Sequence, residues 1–224
     1  MNTSCGLDAW QLNVLATTRG CVALLSYVVC AAAIVTAVGF YKAHKVFYQR
    51  LVLYLLTAAL ILTGTRVVQT VVIYEMIQEE LCVVLGFLLE YTPWVRLMFT
   101  CWITFYLFML TVCNYNPNTC KHEAAYVISS LLVPLPIACV PFITHTYGLA
   151  GAWCWIKATD ADCSKLEAGV TEQFTLWYGP LFVLSILEIL GITVITCILC
   201  KRAWSYDREN RDPDFVEHLI GSKT

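Results

Sequence analysis

Five apolar runs of membrane-spanning length decide what this chain can become. They lie at about Gly20–Tyr41, Leu51–Tyr74, Leu81–Cys113, Ala124–His145 and Phe174–Cys200. About 20 residues of helix cross a bilayer core of about 30 Å, and each run meets that length. Charged residues make up 13% of the chain against 59% hydrophobic ones, where a soluble domain carries about 25% charged. The third run is long for a simple crossing and should tilt or project. Pro134, Pro136 and Pro141 should kink the fourth, since each lacks a donor and crowds the preceding turn. The expected fold is an all-α integral membrane helical bundle, with residues 1–205 forming the bundle and 206–224 a tail.

The basic residues orient it. Lys42, Lys45, Arg50, Lys121, Lys201, Arg202, Arg208, Arg211 and Lys223 fall on one side of the alternation, and Arg19, Lys157 and Lys165 on the other. The positive-inside rule places the amino terminus outside and the carboxy terminus in the cytosol, which an odd number of crossings satisfies. A net charge of -2 argues against a nucleic-acid partner. In the tail, Asp212-Pro213 and Gly221 read as the bounds of a short amphipathic helix or, equally, the segment is a frayed tail. Asn2-Thr3-Ser4 is formally a glycosylation sequon. Cys197 and Cys200, beside Lys201-Arg202, are packing residues first and palmitoylation candidates second.

Of the twelve cysteines, Cys5, Cys82, Cys154 and Cys163 fall outside, where disulfides persist. Four cysteines allow three pairings. A Cys82–Cys154 bond would pin the loop Tyr147–Ile156 across the mouth of the bundle and leave Cys5 for Cys163.

Charges within spans are expensive and are usually paired or functional. Arg66 lies about nine residues in from Glu75 and Glu90 about eight in from Cys82, so at about 1.5 Å per residue they share a depth. Arg96 and Glu188 each lie about fourteen residues into their spans. Two interhelical ion pairs are expected, Arg66 with Glu90 and Arg96 with Glu188; either both only hold helices together, or at least the outer one lines a polar cavity reached from outside. Tyr91, Trp94, Trp177 and Tyr178 occupy the same outer half, under Trp153 and Trp155. They read as an aromatic belt or packing, or together as a pocket wall. The candidate ligand-binding set is Arg66, Glu90, Trp94, Trp153, Trp155, Trp177 and Tyr178. His44, His122, His145 and His218 have no zinc spacing, and the sequence holds no phosphate loop or nucleophile elbow. No enzyme, metal or cofactor is expected.

Cys82-Val83-Val84-Leu85-Gly86-Phe87-Leu88 resembles the Cys-x-x-x-Gly-Phe-Leu opening of span three in cyclic-AMP-receptor-like and secretin/adhesion-like G-protein-coupled receptors. Gly151-Ala152-Trp153-Cys154-Trp155-Ile156 is similar to their second extracellular loop. Gln49–Leu55 and Trp177-Tyr178-Gly179-Pro180-Leu181 resemble the starts of their spans two and five. The resemblance implies a Cys82–Cys154 disulfide, a plasma-membrane location, an outer pocket for an extracellular ligand and a cytosolic face for a heterotrimeric G protein. Thr111-Val112-Cys113-Asn114-Tyr115 stands where other receptors carry Asp-Arg-Tyr. The family has seven spans and five are found here. The resemblance therefore implies a truncated or short form, with a full-length receptor as a possible partner. The rival reading is a five-span scaffold or transporter subunit with structural ion pairs. In tagged cells, an amino-terminal epitope should stain without permeabilisation and a carboxy-terminal one only after it; the reverse pattern would overturn the orientation.

Overall fold

The structure, a computed structural model, describes residues 8–39, 47–75, 79–115, 120–159 and 164–211. Among them are helices α1 (Ala9–Gly39), α2 (Phe47–Glu75), α3 (Glu79–Thr111), α4 (Cys120–Leu132) and α5 (Pro134–Ile143). A hairpin of β1 (Tyr147–Ala150) and β2 (Trp153–Ile156) follows, then α6 (Glu167–Glu172), a π-helical turn (Gln173–Tyr178) and α7 (Gly179–Arg211). Five stretches are long and apolar enough to cross a bilayer: Trp10–Gly39, Phe47–Val71, Glu79–Thr111, Lys121–Ile143 and Glu167–Tyr206. The chain is an integral membrane bundle, and the large apolar side chains that α1 and α7 leave uncovered are what lipid contact requires.

The first helix starts about eleven residues before the expected span. Asp8 accounts for this: its carbonyl receives the Leu12 N–H at 3.0 Å, while its own N–H donates to Gln11 Oε1 at 3.1 Å. The first is the opening bond of the helix, and the second is the half of a capping box in which the N3 side chain reaches back to the N-cap N–H. Arg19, expected in a polar lead, therefore lies about 15 Å along a helix. At the other end, α7 continues to Arg211, past the expected close at Cys200. The proposed helix at 212–221, together with Cys5 and Cys163, lies outside the described residues.

The prolines act as their chemistry demands. The fourth span divides at Val133, with Pro134 opening α5; Pro134 has no N–H to give the preceding turn. Tyr91 Oη donates to the carbonyl of Leu131 beside the break at 3.0 Å. His145 ends α5 with φ 56°, and Thr146 N–H donates to the Pro141 carbonyl at 3.1 Å, the six-to-one bond of a Schellman close.

Three small apolar clusters hold the bundle. Phe47, Leu51, Tyr106 and Tyr126 fill the end where α2 and α4 begin, Ala58, Val95 and Phe99 the middle, and Cys82, Leu85 and Cys154 the hairpin end. Next to the first cluster, Arg50 meets Glu123 in a two-point ion pair, Nε to Oε1 at 2.9 Å and Nη2 to Oε2 at 2.7 Å. Tyr54 Oη donates to the same Oε1 at 3.0 Å. The pair is part-buried, with side-chain exposures of 28% and 17%, so it escapes the screening that empties surface pairs. Glu123→Ala should cost about 1.5–3 kcal/mol, as loss of charge-assisted hydrogen bonds does. Combining it with Arg50→Ala should cost much less than the sum of the two. Thermal unfolding in detergent reads both, and strict additivity would rule out the coupling.

Candidate functional site

The hairpin is built to sit on the bundle. Gly151, with φ 72°, takes the first central position of the turn between Ala150 and Trp153, a backbone region glycine enters without strain. Alternation then sends Cys154 and Ile156 to the buried face and Trp153 and Trp155 to the other. Cys154 is bonded to Cys82 at the start of α3. One turn further along α3, Gly86 lies under the hairpin: a Cβ there would stand 3.0 Å from Tyr147 Cδ1 and 3.5 Å from Trp155 Cα.

Polar contacts fix the rest of the loop. Gln69 Nε2, from α2, donates to the Cys154 carbonyl at 2.8 Å. Gln173 Nε2 donates to the Ile156 carbonyl at 2.8 Å, and Thr146 Oγ1 donates to Glu172 Oε2 at 2.5 Å. Tyr147 Oη donates to the Ala138 carbonyl at 2.8 Å. Burial first, and the charge of nearby Glu90 second, push the Tyr147 hydroxyl above the usual phenol range, so it remains a donor. The loop is tied to α2, α3, α5 and the start of the fifth span.

At the centre is Glu90, fully buried on α3. Its Oε1 accepts from Trp94 Nε1 at 3.3 Å and its Oε2 from Trp155 Nε1 at 2.6 Å. A buried carboxylate requires such donors. Around it, Trp177 meets Trp94 edge-on at 5.6 Å and Trp155 edge-on at 6.2 Å, while Tyr178 meets Trp155 at 6.4 Å. Trp177 and Tyr178 come from the π-helical turn, where Gly179 N–H reaches back to the Phe174 carbonyl. Pro180 follows directly, and the wider turn relieves the crowding its ring would impose on regular helix. Five of the seven candidate ligand residues, Glu90, Trp94, Trp155, Trp177 and Tyr178, thus share one site.

The other two, Trp153 and Arg66, lie apart from it, each near Arg19. Trp153 covers the Arg19 guanidinium, 4.8 Å from ring centroid to Cζ. Arg66 lines a cavity of about 290 Å³ with Arg19, Leu15, Thr18, Val22 and Thr63. Neither expected ion pair forms. Arg66 and Arg96 are exposed on the surface of the described residues, whereas Glu90 faces the two indoles. Glu188 instead lines a cavity of about 380 Å³ between α3 and α7, beside Cys101 and Trp102. Its Oε1 is buried without a hydrogen-bond partner. Equal depth does not give equal azimuth: Glu90 and Arg96, six positions apart on one helix, point about 120° from each other. Among the described residues the ion pair found is Arg50–Glu123, and no cluster of three metal-ligating side chains occurs.

Gln69 and Arg19 were not singled out in the sequence. Gln69 is one of the few amides inside a span, a signal that was available; Arg19 was hidden by the misplaced helix start.

The bundle is similar in structure to squid rhodopsin, known from its crystal structure, with a TM-score of 0.68 at 12% sequence identity. The match covers 91% of this chain and 57% of that one. The chain thus spans little more than half of that receptor's length. No protein-family model matches, and no curated protein matches in sequence. The fold is that of the seven-helix receptors, and five elements of membrane-crossing length lie among the described residues.

Trp155→Phe keeps the ring and removes the N–H that Glu90 accepts. It should cost about 1.5–3 kcal/mol in the wild-type background and clearly less beside Glu90→Leu, which has no charge to satisfy. A double-mutant cycle on thermal unfolding measures this. Equal costs in both backgrounds would mean the two groups do not interact.

Proposed function

We propose that this chain is a G-protein-coupled-receptor-type transmembrane signalling protein. It resides in the plasma membrane with its amino terminus outside, and binds an extracellular ligand beneath the hairpin. The observation that carries this reading is Trp155. One indole of the outer loop donates to Glu90 on α3 and meets Trp177 and Tyr178 at the head of the fifth span. A ligand that moved this ring would alter the contacts of both helices together. Such a ligand would favour one packing of the bundle by binding it better than the other. The helices would carry that preference to the cytosolic ends, where a heterotrimeric G protein is the expected partner. A longer receptor that supplies further spans is a second candidate partner. Assignment to the cyclic-AMP-receptor-like or secretin/adhesion-like branch rests on the Cys82–Leu88 and Gly151–Ile156 motifs.

The rival scaffold or transporter subunit drew its support from buried ion pairs within the bundle. Without Arg66–Glu90 and Arg96–Glu188 that support falls away.

Energy transfer between the tagged chain and a panel of engineered Gα probes tests the proposal in intact cells. Recruitment of at least one Gα class above a surface-matched control is expected, with Trp155→Ala changing its basal level at least threefold. Recruitment of none, at verified surface expression and with the candidate longer receptor present, would overturn it.

A further inference from the structure

Arg19 and Arg66 bring two guanidinium groups to one cavity inside the membrane-crossing part of the bundle. Both face the same cavity, and Arg96 stands exposed on α3. No carboxylate among the described residues pairs with any of the three. Like charges gathered at membrane depth cost free energy and call for an anion. The cavity, about 290 Å³, supplies more than charge. Thr18 and Ser26 add hydroxyl groups, and Leu15, Val22 and Ala23 make an apolar wall. Leu15 and Val22 are 44% and 59% exposed, so that wall runs out onto the lipid-facing surface of α1. Trp153 holds Arg19 from above, which fixes one guanidinium before anything binds.

We propose that this cleft between α1 and α2 binds an amphiphilic anion. A carboxylate or phosphate head sits between Arg19 and Arg66, and an apolar body lies along Leu15 and Val22. The guanidinium forks match the planar or tetrahedral oxygens of such a head. The apolar wall excludes a bare inorganic ion as the best occupant. The head could belong to a bilayer lipid or to a water-soluble organic acid, and the site chemistry is the same for both. This inference is separate from the signalling proposal, because it concerns binding at a different cavity and needs no G protein.

The test uses the full chain in phosphatidylcholine nanodiscs, read by thermal unfolding. Decanoate is titrated as the soluble probe and dioleoyl phosphatidate is added as the lipid probe; decyltrimethylammonium serves as the charge-reversed control. A saturable rise in Tm is expected with at least one anion and none with the cation. Arg66→Gln should weaken the apparent affinity about tenfold, the loss of one charge-assisted contact, and Arg66→Lys should weaken it less. Response to decanoate assigns a soluble ligand, and response to phosphatidate alone assigns a lipid. Removing a like charge should not unfold the bundle, and the cation comparison on the wild-type chain needs no variant. No anion response, an equal response to the cation, or an anion response unchanged in both Arg66→Gln and Arg19→Gln would each overturn the proposal.

Discussion

Among the described residues Glu90 has no cation beside it, and much of the hairpin half of the bundle is arranged around that fact. A carboxylate removed from water needs donors aimed at it, and in this chain both are tryptophan N–H groups. Trp94 is supplied locally, one helical turn along α3. Trp155 has to come from the loop, so the loop is drawn onto the helix. The Cys82–Cys154 bond keeps the two segments together but leaves the hairpin free to pivot about one point. Trp155 and Gln69 add second and third points on either side. Gly86 completes the fit, since a methyl group there would press on Tyr147. The hairpin thereby becomes a part of the bundle.

The two ends of the bundle are held differently. Where α2 and α4 begin, a two-point ion pair, a tyrosine hydroxyl and four packed aromatic or aliphatic rings and chains join α2, α3 and α4. At the hairpin end the ties run through the loop and through edge-on indole contacts. Between them lies a small cluster of Ala58, Val95 and Phe99. The fifth span contributes no residue to the three clusters and is tied in through its head. Its large apolar residues are mostly uncovered, and its head is an irregular π turn that carries Trp177 and Tyr178. A helix whose shaft stands outside the clusters is thus the one whose head touches Trp155. That combination suits a helix whose packing is to be set by what lies under the hairpin.

Much of this was legible in the chain. Five spans and the break at the prolines follow from hydropathy and backbone chemistry. The gathering of Glu90, Trp94, Trp155, Trp177 and Tyr178 followed from depth alone. The ion pairs failed for a related reason. Depth along an axis can be counted from sequence, but azimuth depends on how each helix rotates against its neighbours. Arg96 shows the limit, since six positions from Glu90 turn it to a different face. Arg19 failed through a helix boundary: Asp8 and Gln11 form a cap that carries the helix back past a polar stretch. The π turn was concealed by Gly179-Pro180, which signals an irregularity without giving its kind.

Those two failures expose how charge is distributed across the bundle. Arg19, Arg66 and Arg96 belong to α1, α2 and the outward face of α3, while Glu90 and Glu188 turn toward the hairpin and the α3–α7 contact. Mutual pairing would have neutralised the interior and left a bundle whose spans were locked by their own charges. Separation leaves each sign facing a different cavity. Buried carboxylate oxygens can be served by neutral N–H donors, as Glu90 is, because one charge spread over two oxygens needs few contacts. A guanidinium carries five donors, so Arg19 and Arg66 together offer more N–H groups than the hydroxyl oxygens of Thr18, Ser26 and Thr63 can accept. The arginine face therefore has the greater unmet demand. Its low-dielectric surroundings concentrate the field there, and an anion is the partner that meets both the charge and the hydrogen-bond count.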